Sequence, residues 1–173
     1  AYAPGSGDPN NFNLNDCSTQ RNLSEEGKKQ AKSIGKFFIK NEIEIDKVLS
    51  SEWCRCKETA KIAFEDYTTK SFLNSFYSSK FAKNKDKQVK ALKEYIKDYK
   101  INKNENLVLV THYVLISEIL NYGSSSGEIV VSDKNFNIID TQEISYWIMS
   151  SKRAMKQAQK QAYARHRSNI TNS

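Results

Sequence analysis

The sequence predicts an α/β fold, a three-layer α/β/α sandwich with a mostly parallel sheet. Segments with helical spacing of apolar residues alternate along the chain with short apolar or β-branched runs, the order typical of such sandwiches. One run, Asn106 to Thr111 (NLVLVT), is nearly continuous in apolar residues, which predicts a strand buried on both faces. The 173 residues suit one domain, which we place at 1–149, followed by a basic tail at 150–173.

The predicted domain opens with a loop and a capped helix. Residues 1–22 are rich in Gly, Pro, Asn and Asp, which favour turns and extended backbone. Ser24 is a suitable N-cap, and Glu25 and Glu26 follow it where a helix N-terminus favours negative charge. We therefore predict a helix that begins after Ser24 and ends near Asn41.

The later elements follow from apolar patterns. The stretch 66–81 contains six Ser or Thr and five aromatic residues without a clear period, and we predict a loop there. Val89, Leu92, Ile96 and Tyr99 repeat at helical spacing, which predicts a third helix. The remaining predicted elements are a strand at 45–50, helices at 52–64 and 113–120, a strand pair at 128–131 and 136–139, a candidate strand at 144–149 and a weakly amphipathic helix from 151.

Most of the net positive charge of the chain lies in the tail. The net charge is +7, and residues 151–173 hold six basic side chains and no acidic one, so the rest is nearly neutral. The tail has no recognition motif and Tyr163 is its one aromatic residue, so we interpret it as solvated rather than as a site for nucleic acid or an anionic membrane. No run approaches the roughly 18 apolar residues of a membrane-spanning helix.

Two loops carry residues suited to an anion. In doubly wound α/β folds, ligands bind beyond the carboxyl ends of the strands, where loops lead into helices. One such loop, Ser51 to Cys56, contains Arg55, and the strand at 106–111 leads directly to His112. Arg is a two-pronged donor, and His binds phosphate oxygens or transfers a proton. We predict that Arg55 and His112 converge on one phosphate-like anion.

Three ordered segments resemble the histidine phosphatase superfamily, which includes phosphoglycerate mutases and many phosphatases. They are NLSEEGKKQA at 22–31, VLSSEWCRCKETA at 48–60 and NLVLVTH at 106–112. The family has Leu and Ser or Thr, then Gly and Gln-Ala, at its first helix, a Ser-rich strand end followed by Arg, and an apolar strand ending in His. The resemblance covers the chain from Ala1 to about Glu143, and the lead-in DCSTQRNLSEEG narrows it to a bacterial branch.

The resemblance implies a phosphatase-type hydrolase that acts on a small phosphorylated molecule, or on phosphohistidine, through a phosphohistidine intermediate, without a metal or cofactor. It implies that Arg55 and His112 are catalytic residues that bind the phosphoryl group. The family's nucleophilic His stands in an Arg-His pair on a central first strand. That pair would immediately precede Ala1, so we expect the nucleophile and its strand to be missing and the chain to be inactive as given.

Two other interpretations remain open at this point. Arg165-His166 is an Arg-His pair and would suit a circular permutation, although the preceding KQAQKQAYA is too polar for a buried strand. The chain could instead be a non-catalytic relative that binds phosphorylated ligands or a protein through the same residues. No Asp or Glu occurs at 67–85, so Glu52 and Asp66 are the nearest candidates for a general acid. Substrates with good leaving groups, such as phosphohistidine or acyl phosphates, would depend less on such an acid.

The three cysteines allow two disulfide pairings of Cys17, and the presence of a disulfide bears on the cellular location of the protein. The fold should bring Cys17 to the same edge of the sheet as Cys54 and Cys56, so a bridge from Cys17 to either one is expected as readily as three reduced thiols. A bridge would indicate a periplasmic or exported protein, and reduced thiols a cytoplasmic one. The chain begins with Ala1 and not with Met, and we expect a processed protein or a piece of a longer one.

Overall fold

The computed structural model describes residues 1–102 and 104–144. Its longer helices are α1 (Glu25–Lys40), α2 (Cys54–Phe64), α4 (Lys85–Asp98) and α5 (Tyr113–Leu120), with the four-residue α3 at Ser79–Ala82. Its strands are β1 (Ile45–Ser50), β2 (Thr68–Thr69), β3 (Asn106–Val110), β4 (Ile129–Ser132) and β5 (Ile138–Gln142). Short 3-10 turns at Cys17–Thr19 and Ser71–Leu73 complete the described elements.

Two sheets are formed. The first has the order β2-β1-β3 with both pairings parallel, and the second is an antiparallel pair of β4 and β5. In the first sheet Val48 lies opposite Val108 and Ser50 lies opposite Val110, so β1 and β3 end at the same edge. The predicted α/β class with a mostly parallel sheet is confirmed.

Helices cover the two faces of the parallel sheet. Leu49 faces a core that contains Leu92 of α4 and Leu115 of α5. Val48, the preceding residue, is also buried and points to the opposite face, because side chains alternate along a strand. On that face α1 packs against α2 so closely that a Cβ atom on Gly35 would lie 2.4 Å from the carbonyl oxygen of Ala63.

The predicted first helix and first strand agree with the structure. Ser24 caps α1 by accepting a hydrogen bond from the backbone N–H of Gly27, and β1 spans the predicted residues. The second helix begins at Cys54 rather than at 52, and the antiparallel strands lie one to three residues later than predicted.

Two expectations about burial and loop content were wrong. The stretch predicted as a loop contains β2, the 3-10 turn and α3, because Thr68 and Thr69 pair with the end of β1. The apolar residues of β3 are half-buried rather than buried on both faces, since β3 pairs with β1 alone among the described strands. The candidate strand at 144–149, apart from Ile144, and the basic tail lie outside the described residues, as do Arg165 and His166.

Within 1–102 and 104–144, no helix is long and apolar enough to cross a membrane.

Candidate anion-binding site

The parallel register of β1 and β3 brings the two predicted site residues together. Arg55 lies in the first turn of α2, which follows β1, and His112 is the N-cap of α5, which follows β3. Their side chains meet with Arg55 Nη2 3.3 Å from His112 Nδ1. Both residues are buried, with exposures of 8% for Arg55 and 7% for His112.

The hydrogen bonds of His112 define its tautomer. A guanidinium can only donate, so Nδ1 of His112 accepts from Arg55 and the ring proton is on Nε2. Nε2 lies 2.9 Å from Ser51 Oγ, which in turn donates to Asn74 Oδ1 at 3.1 Å. The sulfur of Cys56 is 3.6 Å from the same ring nitrogen. Both nitrogens of His112 therefore have partners within the protein.

Burial keeps His112 neutral. The pKa of His112 is well below its usual value, first because the ring is buried and then because the positive charge of Arg55 lies beside it. Asp8 acts in the opposite direction but does not outweigh these two effects. At neutral pH the ring is an uncharged group with one donor and one acceptor.

Asp8 is the residue that sequence reasoning missed. Its Oδ1 accepts from Arg55 Nη1 at 2.8 Å and from the backbone N–H of Arg21 at 3.0 Å, and its Oδ2 accepts from Trp53 Nε1 at 2.9 Å. Burial alone would raise the pKa of Asp8, but the hydrogen bonds from Trp53, Arg55 and Arg21 outweigh it and hold that pKa below its ordinary value. Asp8 is thus an ionised carboxylate bound to the predicted phosphate-binding arginine.

The loop that carries Asp8 is held in place by Arg21. Arg21 Nη1 donates to the carbonyl oxygens of Ala3 and Gly5, both at 2.7 Å, and Gly5 takes a positive φ of 82° that suits glycine. Nearby, the amino group of Ala1 donates to Thr59 Oγ1 at 3.3 Å. An isolated Asp in a Gly- and Pro-rich segment gave no sequence signal for this long-range contact.

An aromatic cluster lies over the ion pair. Trp53 stacks on Phe12, and Phe81 meets both rings edge-on at centroid distances of 5.4 Å. The ring of His112 lies edge-on to Trp53 at 5.5 Å. Trp53 joins this cluster to the ion pair, because its indole N–H donates to Asp8 while its ring lies beside His112.

A disulfide ties the lead-in to the first turn of α2. Cys17 is bonded to Cys54, the residue directly before Arg55, and Cys56 is a buried free thiol. Burial raises the pKa of Cys56, so the sulfur beside His112 is a neutral thiol rather than a thiolate. Of the two pairings left open by the sequence, the structure contains the one with Cys54.

Neither sequence candidate for a general acid lies free at this site. Glu52 accepts from Asn74 Nδ2 at 2.6 Å, in the group that also contacts Ser51. Asp66 lies beyond the opposite end of α2, where it lines a cavity of about 560 Å³ with Ile45. In the part of the chain that the structure describes, no group of three or more His, Cys, Asp or Glu side chains could hold a metal ion.

Comparison with known families supports the sequence resemblance. Residues 16–75 match the family model described as histidine phosphatase superfamily (branch 1), which supports the superfamily resemblance. This is a family of phosphatase-type, phosphoryl-transferring proteins. The match includes Arg55 and both bridged cysteines and ends before His112. No curated protein matches the chain.

We expect the free energy of unfolding to fall as the pH drops below about 6.5, because His112 is neutral when folded and takes up a proton when unfolded. The contribution of His112 is fully present above the unfolded pKa. Between the unfolded and the folded pKa it is lost at up to about 1.4 kcal/mol per pH unit as the pH falls. Urea unfolding between pH 5 and 8 measures the slope. His112→Gln should flatten it, and an equal slope in that variant would show that His112 is not the group responsible.

Breaking the Cys17–Cys54 disulfide should lower the free energy of unfolding by about 3 to 4 kcal/mol, because the bridge closes a loop with a sequence separation of 37. Cys17→Ala/Cys54→Ala and the reduced native chain should show the same loss in urea unfolding. The double variant is its own control, since a reductant should not change it further. Three freely alkylated thiols in the unreduced protein, detected by mass spectrometry, would contradict the pairing.

Proposed function

We propose that this chain binds the phosphoryl group of a small phosphorylated molecule, or of phosphohistidine, through Arg55 and His112, as a phosphatase-type relative. The observation that carries the proposal is the direct contact of these two residues at the carboxyl ends of two paired parallel strands. The superfamily match supports phosphoryl chemistry as the function class. The bacterial branch suggested by the lead-in remains a prediction.

The two side chains have complementary roles in this proposal. Arg55 supplies two terminal nitrogens that can each donate to a phosphoryl oxygen, and the buried setting makes such charge-assisted bonds stronger than they are in water. In the resting tautomer Nδ1 of His112 carries no proton, so it can accept one while Nε2 stays bonded to Ser51, and it donates to a phosphoryl oxygen only once it is protonated. A chain of hydrogen bonds from His112 Nε2 through Ser51 and Asn74 to Glu52 fixes the orientation of the ring.

Turnover requires a second group that the described site does not contain. A phosphohistidine intermediate needs a nucleophilic histidine placed for in-line attack, and His112 cannot both attack and hold the phosphoryl group. His112 is the one histidine in the described residues. We therefore favour a site that binds phosphoryl anions with little hydrolysis in this chain, which also keeps the alternative of a non-catalytic binding protein.

The disulfide supports a location in an oxidising compartment. Disulfides persist in the periplasm and outside the cell and are rare in the cytosol. The Cys17–Cys54 bond lies next to Arg55 and anchors the loop that carries Asp8. A periplasmic or exported protein is the proposal that fits this bond.

Arg55→Ala should weaken the binding of inorganic phosphate, sulfate or vanadate by about 1.5 to 3 kcal/mol, the value of one charge-assisted hydrogen bond. Isothermal titration of the native and variant chains measures the affinity, and circular dichroism checks that the variant is folded. Lys61→Ala is the matched control, since it removes an exposed positive charge from the same helix. Unchanged anion affinity in Arg55→Ala would rule out this site.

We expect no substantial hydrolysis of p-nitrophenyl phosphate by the chain as given, because the described site has no histidine besides His112. Release of p-nitrophenol measures the rate, with His112→Gln and His166→Ala as the comparison variants. Strong turnover that is lost in His166→Ala, or a trapped phosphohistidine at residue 166, would favour the circular permutation instead.

A further inference from the structure

We propose that the Asp8 carboxylate is an internal competitor for the anion site, bound to Arg55 in the resting protein and displaced when a phosphoryl anion binds. This inference rests on the proposed function and adds a regulatory element to the same site. It makes the lead-in loop, rather than the strand ends alone, a determinant of ligand affinity.

The partners of Asp8 are those that a phosphoryl oxygen would use. Its carboxylate accepts from a guanidinium nitrogen of Arg55, a backbone N–H of Arg21 and the indole N–H of Trp53, all within 3.0 Å. Charged and neutral N–H donors that converge in this way on one oxyanion form an anion-binding site. In the structure, the anion that these donors hold belongs to the protein itself.

The resting arrangement leaves little access to Arg55. Its side chain is 9% exposed and that of Asp8 is 12% exposed, so the ion pair is almost closed to solvent. Each terminal nitrogen of Arg55 already has an acceptor, since Nη1 donates to Asp8 and Nη2 donates to His112. Nη1 also donates to the carbonyl oxygen of Arg21 at 3.4 Å, so both of its N–H groups have acceptors. An external anion can therefore bind both terminal nitrogens only if an acceptor of Nη1 leaves.

Asp8 is the acceptor that can leave with the smaller structural change. It lies between Gly7 and Pro9 in a segment without a helix or strand, and a Cβ on Gly7 would meet no atom within 4 Å. His112 is the N-cap of α5 and is bonded to Ser51 on its other side. A ligand that carries its own negative charge restores the partner that buried Arg55 loses when Asp8 moves away.

The opposite role for Asp8 predicts the opposite result. If Asp8 instead positions Arg55 for the ligand, the ion pair persists in the bound state and loss of the carboxylate weakens binding. If Asp8 competes, loss of its charge strengthens binding. The sign of the change in affinity therefore separates the two roles.

Sulfate titration of Asp8→Asn tests the proposal, because sulfate stays a dianion over the working pH range. We expect the affinity for sulfate to rise about tenfold or more, since the ligand no longer displaces a charged acceptor. Asp16→Asn is the matched control, a carboxylate-to-amide change in the same lead-in whose native partner is the neighbouring Ser18, and it should leave the affinity unchanged. An unchanged or weaker affinity in Asp8→Asn would overturn the proposal.

A second measurement needs no variant that must fold. The indole N–H of Trp53 donates to Asp8, so its proton and nitrogen NMR resonances should shift when sulfate is added to the native chain. The midpoint of this shift should equal the midpoint of the sulfate-binding curve. Saturable sulfate binding to the native chain that leaves the Trp53 indole signal unchanged would refute displacement, while the proposed function would still be tested separately by Arg55→Ala. Failure of sulfate to bind to either the native chain or Asp8→Asn would refute both.

Discussion

The parallel pairing of β1 with β3 determines where the two central residues of the candidate site, Arg55 and His112, lie. Ser50 and Val110 face each other at the ends of the two strands, and the chain then enters α2 and α5 at the same edge. Arg55 and His112 meet for this reason, although 57 residues separate them in sequence. Val48 and Leu49 are buried on opposite faces, so packing on both sides holds the end of β1 in place.

A buried guanidinium then constrains the rest of the site. An unpaired charge in this position would be strongly destabilising, so Arg55 requires an anionic partner even in the resting protein. Asp8 meets that requirement from a segment with no regular structure of its own. Two further links hold the segment against α2, since Cys17 is bonded to Cys54 and Gln20 Oε1 accepts from the Cys54 backbone N–H at 2.9 Å.

The sequence predicted those features that depend on local pattern. The cap at Ser24 and the strand at 45–50 follow from short-range preferences, and the convergence of Arg55 with His112 follows from the rule that parallel strands share an edge. The contact of Asp8 with Arg55 spans 47 residues and depends on how an irregular loop folds, so no period or motif encodes it. The strand β2 was missed because its two residues pair only through tertiary contact with β1.

Side-chain hydrogen bonds from Gln30 connect α1 to the segments that flank the β4–β5 hairpin, whereas the strands within each sheet are joined by backbone hydrogen bonds. Gln30 of α1 donates through Nε2 to the carbonyl oxygens of Ser126 and Ile144, which flank the β4–β5 pair, and its Oε1 accepts from the N–H of Tyr2. Each such hydrogen bond contributes about 1 kcal/mol, much less than the continuous ladder and apolar packing of β1 and β3. Local opening of the hairpin therefore costs less than separation of the strands that carry Arg55 and His112, and the site can persist through it.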